Sequence, residues 1–311
     1  MALKVLMLPQ LKSFRNDESG IKRVVEAYHD YSKETDVEYV DDGASYDLVV
    51  SHAGTKAEAD VAINHGLYWT ADYEADGWEW EMNSQVIKAL RMAKEITVPS
   101  NWVAEVFKRE MRVNPHIIGH GIDFNLWQDK SEHYPFVLWN KNRISDVCSP
   151  VPVMILAKKY TNIRFFTTFY PQHEDVPSNV RVSGKLNHSD MKSVIKSALV
   201  YLSTTKETFG IGVLEAMASG LPILAFAWGG NLDLVQHGVN GYLAAINNYE
   251  DLSNGLEYCM KNAQVLGENS RELAKKWGWR EACVKLRNVY DLALSKKYKL
   301  PLTIPEREYK Q

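Results

Sequence analysis

Cysteine is scarce in this sequence. Cys148, Cys259 and Cys283 are the only three in 311 residues, scattered and odd in number. They form neither a disulfide framework nor a zinc-ligand spacing, and this pattern fits a reducing compartment, so a cytoplasmic location is expected. Long apolar runs are missing too. No window approaches the roughly 18 apolar residues that a membrane-spanning helix needs, and the run from Leu3 to Leu8 is too short for a signal peptide. Nor is there an excess of charge of one sign. Thirty-six basic against 39 acidic residues leave a net charge of −3, which gives no general attraction to nucleic acid or anionic membrane. Repeats of fixed period and low-complexity tracts are absent. With no Asp-x-Asp motif and no His/Cys/carboxylate cluster, no catalytic metal and no required cofactor are expected.

What remains is an ordinary globular composition, 45% hydrophobic and 24% charged, in a chain long enough for two domains. Nine tryptophans and 16 tyrosines supply core and flat surfaces on which a ligand can stack. Short apolar runs at Leu3–Leu8, Val37–Val40, Tyr46–Val50 and Val61–Ile63, bounded by turn residues, predict parallel strands. A polar loop leads from the first of these to Ser19-Gly20, after which Ile21, Val24, Val25 and Tyr28 recur at helical spacing. That loop is either a plain connection with Ser19 as N-cap or a ligand-binding turn. His65 follows the Val61–Ile63 strand and precedes a glycine, a position open to a structural or an active-site reading. Residues 68–81 are acidic and aromatic without period and predict an ordered surface segment. Helix is predicted from Asn83 to Lys94, strand over Ile96–Ser100, and a last strand and glycine turn over 115–123. Polar residues 128–133 mark the domain boundary.

A second alternating series begins at Phe136–Trp139 and runs through strands at 163–169 and 180–185. Cations follow strand ends at Lys141, Arg143 and Lys185, where a point charge or a bidentate fork suits a diphosphate. The run Ala198–Ser203 predicts a strand, as does Leu221–Phe226. Between them lies Glu207-Thr208-Phe209-Gly210-Ile211-Gly212-Val213-Leu214-Glu215, two carboxylates around a glycine turn that opens an apolar helix. A helix N-terminus at the carboxyl end of a parallel strand offers backbone N–H groups and partial positive charge to a phosphate. Taken alone, the two glutamates are either a surface pair beside a helix start or a pair in which one meets a sugar and the other a ribose. The glycine pair Gly229-Gly230 permits close backbone approach on the same rim. Helices are predicted at 251–262, 269–276 and 279–294. The tail, 295–311, is lysine-rich and then proline-broken, and a weak contact with an anionic membrane surface is one expectation for it.

Taken together, these segments resemble the glycosyltransferase family 4 group of retaining enzymes. Glu207 to Glu215 resembles the family's E-x7-E motif, and it continues in order through Gly229-Gly230-Asn231 and Gly238-Val239-Asn240-Gly241. Val98-Pro99-Ser100 and Gly119-His120-Gly121-Ile122-Asp123 resemble the segment that closes the family's first domain, with His120 where asparagine is usual. The resemblance implies an α/β fold of GT-B architecture, two facing Rossmann-like domains with an interdomain cleft. The N-terminal acceptor-side domain is expected at 1–130, with about 285–311 crossing back to it, and the nucleotide-sugar donor domain at 135–284. It further implies metal-independent transfer of a hexose, with retention, from a UDP- or GDP-sugar to an acceptor hydroxyl. Glu207 and His65 are the implied catalytic groups. Ser19, Gly20, Lys141, Arg143, Lys185, Phe209, Gly210, Glu215 and Gly230 are implied on the donor, with Glu215 holding the ribose. One departure is that the second diphosphate cation is missing after Arg143, and Lys141 is the candidate substitute. Two other readings stay open, transfer to modified DNA bases and a nucleotide-sugar-binding protein without catalysis. Sequence leaves the acceptor (glycan, lipid, small molecule or modified DNA) and the oligomeric state open.

Overall fold

A computed structural model describes residues 2–14, 19–56, 58–66, 77–128, 133–141, 147–168 and 176–298. These residues form two compact units. Unit 1 draws on 1–99, 103–121 and the chain from Trp279 onward; unit 2 comprises Ser100–Trp102 and Ile122–Gly278. Each unit is built on a six-stranded sheet whose pairings are all parallel. The two units are Rossmann-like α/β domains, the domain type of the GT-B fold.

In unit 1 the strands are β1 (Leu3–Leu8), β2 (Val37–Tyr39), β3 (Leu48–His52), β4 (Val61–Ile63), β5 (Glu95–Val98) and β6 (His116–Ile117), in the order β2-β1-β3-β4-β5-β6. After β1 the chain enters the helix Gly20–Tyr31, whose N-cap Ser19 accepts a hydrogen bond from the Lys22 N–H at 3.2 Å. Val24, Val25 and Tyr28 are buried, as their spacing predicts. The last helix, Trp279–Tyr298, joins this unit through Tyr290, whose hydroxyl lies 3.1 Å from that of Tyr39. Buried Asp60 also anchors it, accepting from the Val49 N–H at 3.0 Å, Lys94 Nζ at 2.7 Å and Lys297 Nζ at 3.1 Å. Burial alone would raise the Asp60 pKa; the hydrogen bonds from Lys94 and Val49 and the nearby Lys297 outweigh it and hold the carboxyl below its usual range.

In unit 2 the strands are β7 (Phe136–Trp139), β8 (Arg164–Thr167), β9 (Val180–Val182), β10 (Val200–Ser203), β11 (Ile223–Phe226) and β12 (Gly241–Ala244), in the order β12-β11-β10-β7-β8-β9. Side chains alternate between two cores. Leu138, Tyr201, Ile223 and Ala225 pack with the apolar helix Ile211–Ala218. Val137, Trp139, Val200, Leu202, Leu224 and Phe226 pack on the other face with Leu156, Leu252 and Leu256. All four positions of β10 and of β11 are buried, which explains their continuous apolar runs.

Several boundaries differ from the predicted ones. The helix expected from Asn83 begins at Gly77 and ends at Met92, so Trp78 to Glu81 are helical; residues 68–76 lie outside the described residues. Within the strand and glycine turn expected over 115–123 the strand is the two-residue β6, and the helix expected from 269 begins at Ala263. Strand β12 overlaps the short apolar run 242–246, which is not among the predicted strands; its register is set by pairing with β11.

Candidate functional site

The order of the second sheet reverses between β7 and β10: the chain runs outward from β7 to β9, then returns to the other side of β7. Crevices beside the carboxyl ends of strands at such a reversal are where open α/β sheets take ligands. Lys141 follows β7 and Glu207 follows β10, and here the two meet, Lys141 Nζ pairing with Glu207 Oε1. Burial disfavours the ammonium charge, but the adjacent carboxylate outweighs it and pushes the Lys141 pKa well above the ordinary lysine range. Lys141 is therefore a fixed positive charge. Beside it, Tyr201 on β10 donates from its hydroxyl to Asn140 Oδ1 at 2.6 Å. A Cβ at position 212 would lie 2.5 Å from that hydroxyl, so the helix passes Tyr201 only because Gly212 has no side chain. Burial keeps the Tyr201 phenol protonated, its pKa raised well above normal.

Gly210 is the N-cap of the helix Ile211–Ala218, in the left-handed region at φ 99°. The helix thus opens three residues after Glu207, and its first turn carries N–H groups that have no acceptor within the helix. Glu215 sits one turn in and is buried; its Oε1 is 3.6 Å from Nε2 of His188, the first residue of the helix His188–Ser197. The segment from Glu207 to Phe209 is held by backbone on one side. A Cβ at Gly229 would come 2.1 Å from the Glu207 carbonyl oxygen, and one at Gly230 would come 2.1 Å from that of Phe209. The glycine pair, expected to admit a ligand, admits this chain's own backbone, with the Gly230 N–H donating to the Glu207 carbonyl at 2.9 Å. Ser100 Oγ donates to the Thr208 carbonyl at 2.5 Å, and Asn101 donates to Asp233 through its backbone N–H at 2.8 Å and its Nδ2 at 2.9 Å. The Phe209 ring is buried, edge-on to Trp277 at 5.4 Å.

Asn231 ties this corner together. Fully buried, it donates from Nδ2 to the carbonyls of Ser203 (3.2 Å) and Phe226 (3.1 Å) and accepts from Ser203 Oγ (3.0 Å). The carboxyl ends of β10 and β11 are thereby locked beside the loop that carries Glu207.

Unit 1 holds a second cluster. His52, at the end of β3, has Nδ1 3.2 Å from Nε2 of His65, and the two rings stack with centroids 5.4 Å apart. His120 lies 5.5 Å from His65, and Tyr28 and Trp279 close the column. Burial disfavours the charged imidazolium in all three histidines: the His65 pKa falls to about 4, and those of His52 and His120 fall well below the normal value. The column is neutral at pH 7.

Of the residues expected on the donor, Lys141, Glu207, Phe209, Gly210, Glu215 and Gly230 converge in unit 2. Lys185 is exposed after β9, with β7 and β8 between its strand and β10. Arg143 lies outside the described residues. Ser19, Gly20 and His65 belong to unit 1. Sequence reasoning missed Tyr201, Asn140, Asn231, His188 and His52. Tyr201, Asn140, Asn231 and His188 come from different elements of unit 2, and the parallel sheet order brings them beside the motif; His52 comes from β3 of unit 1, where it meets His65. Among the described residues no group of three or more potential metal ligands converges, and no helix is long and apolar enough to cross a membrane.

Residues 171–278, most of unit 2, match the family model of glycosyl transferases group 1. An uncharacterized glycosyltransferase of Methanocaldococcus jannaschii is 30% identical over 118 residues, 37% of this chain and 34% of the relative. Another, of Haemophilus influenzae, is 26% identical over 214 residues, 66% of this chain and 56% of the relative. The chain thus spans between a third and three-fifths of these relatives' length. Among solved structures, HepE of Anabaena in complex with UDP and glucose superposes with a TM-score of 0.69 at 16% identity, covering 91% of this chain and 98% of its own. Sucrose-phosphate synthase of Thermosynechococcus elongatus gives 0.66 at 18% identity, covering 89% of this chain and 78% of its own. These likenesses are to the GT-B fold in both units.

Proposed function

From the group 1 glycosyltransferase match over residues 171–278, we propose that this chain transfers a hexose, with retention and without a metal, from a nucleotide diphosphate sugar to an acceptor hydroxyl. The carrying observation is the Lys141–Glu207 pair at the sheet reversal, three residues before the helix that Gly210 opens, with buried Glu215 one turn inside it. A fixed cation and a helix N-terminus stabilise the charge that develops on a departing diphosphate, and because they are preorganised no solvent reorganises at the moment of bond breaking. Glu207 carries an acceptor-only carboxylate beside that charge, suited to sugar hydroxyls near the anomeric carbon, and Glu215 is the ribose ligand. Backbone N–H groups of Phe209 and Gly210 would complete the cradle. The leaving diphosphate takes the acceptor's proton in a front-face displacement, so neither glutamate serves as a dedicated base. In unit 1, His65 is the acceptor-side group, with the Ser19–Gly20 turn contributing to phosphate contacts. That HepE was solved with UDP and glucose favours UDP among the donor bases.

The test begins with thermal shifts against UDP-, GDP-, ADP- and dTDP-sugars, followed by nucleoside diphosphate release from the donor that stabilises most. Release is expected in excess chelator, and in Glu207→Ala it falls to background at saturating donor. With an acceptor in hand, NMR of the product should show the donor's anomeric configuration. Wild-type release by the Glu207→Ala variant, or no stabilisation by any nucleotide sugar, sinks the proposal.

A further inference from the structure

We infer that His52 is a positioning residue for His65: its Nδ1–H donates to His65 Nε2, fixes the His65 proton on Nδ1, and makes the open edge of that ring a hydrogen-bond donor. The distance between the two nitrogens, 3.2 Å, is that of a hydrogen bond, and a neutral imidazole has one N–H to place. Two arrangements satisfy it. If His65 donated, the His52 proton would sit on Nε2, and that atom is buried with no acceptor within reach among the described residues. An orphaned buried N–H bears its desolvation cost with nothing in return, and such donors are rarer in folded proteins than under-satisfied acceptors. If His52 donates, its single proton is used in the bond and only a lone pair is left on Nε2. A doubly protonated His52 would escape the choice, but it is fully buried against His65, with His120 and His29 near enough to add to the repulsion. Burial and like charge both oppose a second proton there.

With its Nε2 engaged as acceptor, His65 carries its proton on Nδ1. That nitrogen has no partner among the described residues, and unlike His52 Nε2 it is not a buried orphan. The consequence is chemical. His65 offers a neutral N–H to an oxygen lone pair of a bound molecule, a hydroxyl, ring or phosphate oxygen, and it offers no lone pair from that edge with which to take a proton. Within the proposed transferase reading, on which only the identity of that molecule rests, His65 orients its substrate and does not act as its base. The expected specificity is for an oxygen acceptor at this position over a ligand group that must donate.

Tautomers are read directly from long-range nitrogen–proton correlation spectra of the full chain with labelled histidine at neutral pH. The His65 resonances, among those of nine histidines, are the set lost in His65→Gln. Wild-type protein should show a protonated Nδ1 and a pyridine-like Nε2. His52→Phe keeps the ring volume but removes the donor, and the His65 pattern should lose its single-tautomer character. His52→Asn places an amide N–H near the position of Nδ1 and should restore it. A wild-type His65 protonated on Nε2 overturns the inference, as does an unchanged pattern in a folded His52→Phe. Should His52→Phe not fold, loss of the pattern in His52→Asn overturns it and retention supports it. None of these spectra needs turnover or ligand, so failure of the transferase reading would leave this result standing, and the reverse also holds.

Discussion

Replacing Asn231 probes whether the corner that carries Glu207 is held by side-chain hydrogen bonds or merely by packing. Asn231 is fully buried and makes three hydrogen bonds, two donated to the carbonyls of Ser203 and Phe226 and one accepted from Ser203 Oγ. Asn231→Ala deletes all three and strands the partners in a dry core, where each unmade bond costs on the order of 1 kcal/mol net and more if its group cannot relax. The expected loss is about 2–4 kcal/mol for the three together. For a unit of this size that lowers the melting temperature by on the order of 10 °C. Asn231→Asp has nearly the same shape, yet it should be worse at neutral pH, because a carboxylate then points at two carbonyl oxygens. Burial and those oxygens would raise the folded-state pKa of the new acid above its unfolded value of about 3.9. The sign follows: protons bind the folded state more tightly, so the penalty shrinks as pH falls and grows as pH rises through the folded pKa. Asn231→Asp should therefore gain on Asn231→Ala between pH 7 and pH 4.5. The assay is hydrogen exchange by mass spectrometry on peptides covering 200–208 and 223–231, with urea unfolding as the global measure. Because two units can unfold in separate steps, the local protection factors decide. Loss of less than about 0.5 kcal/mol in Asn231→Ala, the range of an ordinary surface change, or an Asn231→Asp variant as stable as wild type at pH 7, would refute the reasoning.

Two further outcomes are expected. Lys141→Met should weaken donor binding at least tenfold by isothermal titration, since it removes the cation paired with Glu207 and leaves that carboxylate repelling the diphosphate; Lys185→Met, on an exposed position beyond the edge strand, should change it less than about threefold. If the two variants behave alike, the geometry has been misread. Unit 1 should lose stability as pH falls below 6.5 toward about 4, because His52, His65 and His120 are held neutral in the fold while the unfolded chain takes up protons. Exchange protection of the helix Gly20–Tyr31 and of β3 across that range is the measurement, and a flat profile would count against a neutral histidine column.

Much of the architecture was legible from residue pattern because the strands of a doubly covered parallel sheet are apolar on both faces. Leu3–Leu8, Val61–Ile63 and Phe136–Trp139 coincide with β1, β4 and β7, and their neighbours are displaced only by a residue or two at the ends. Ser19 announced its helix because a cap is a local hydrogen bond. The early start of the helix Gly77–Met92 was not legible, since residues 77–82 carry no regular helical period of apolar side chains, and the short run 242–246 becomes the edge strand β12 only through its pairing with β11.

The sequence by itself determined the alternating order of strands and helices, the burial of the two faces, and the spacing of Glu207, Gly210 and Glu215 around one helix start. Those are properties of neighbouring residues, governed by sterics and by period. Only the tertiary structure decided that Lys141 reaches Glu207, that Gly229 and Gly230 make room for this chain's own carbonyls, that Asn231 binds two strand ends together, and that His52 engages His65. These contacts join residues up to 66 positions apart, and even the nearest of them depends on where the strand ends lie. Their meeting depends on which strands lie side by side in the sheet, and strand order has no periodicity from which it could be read.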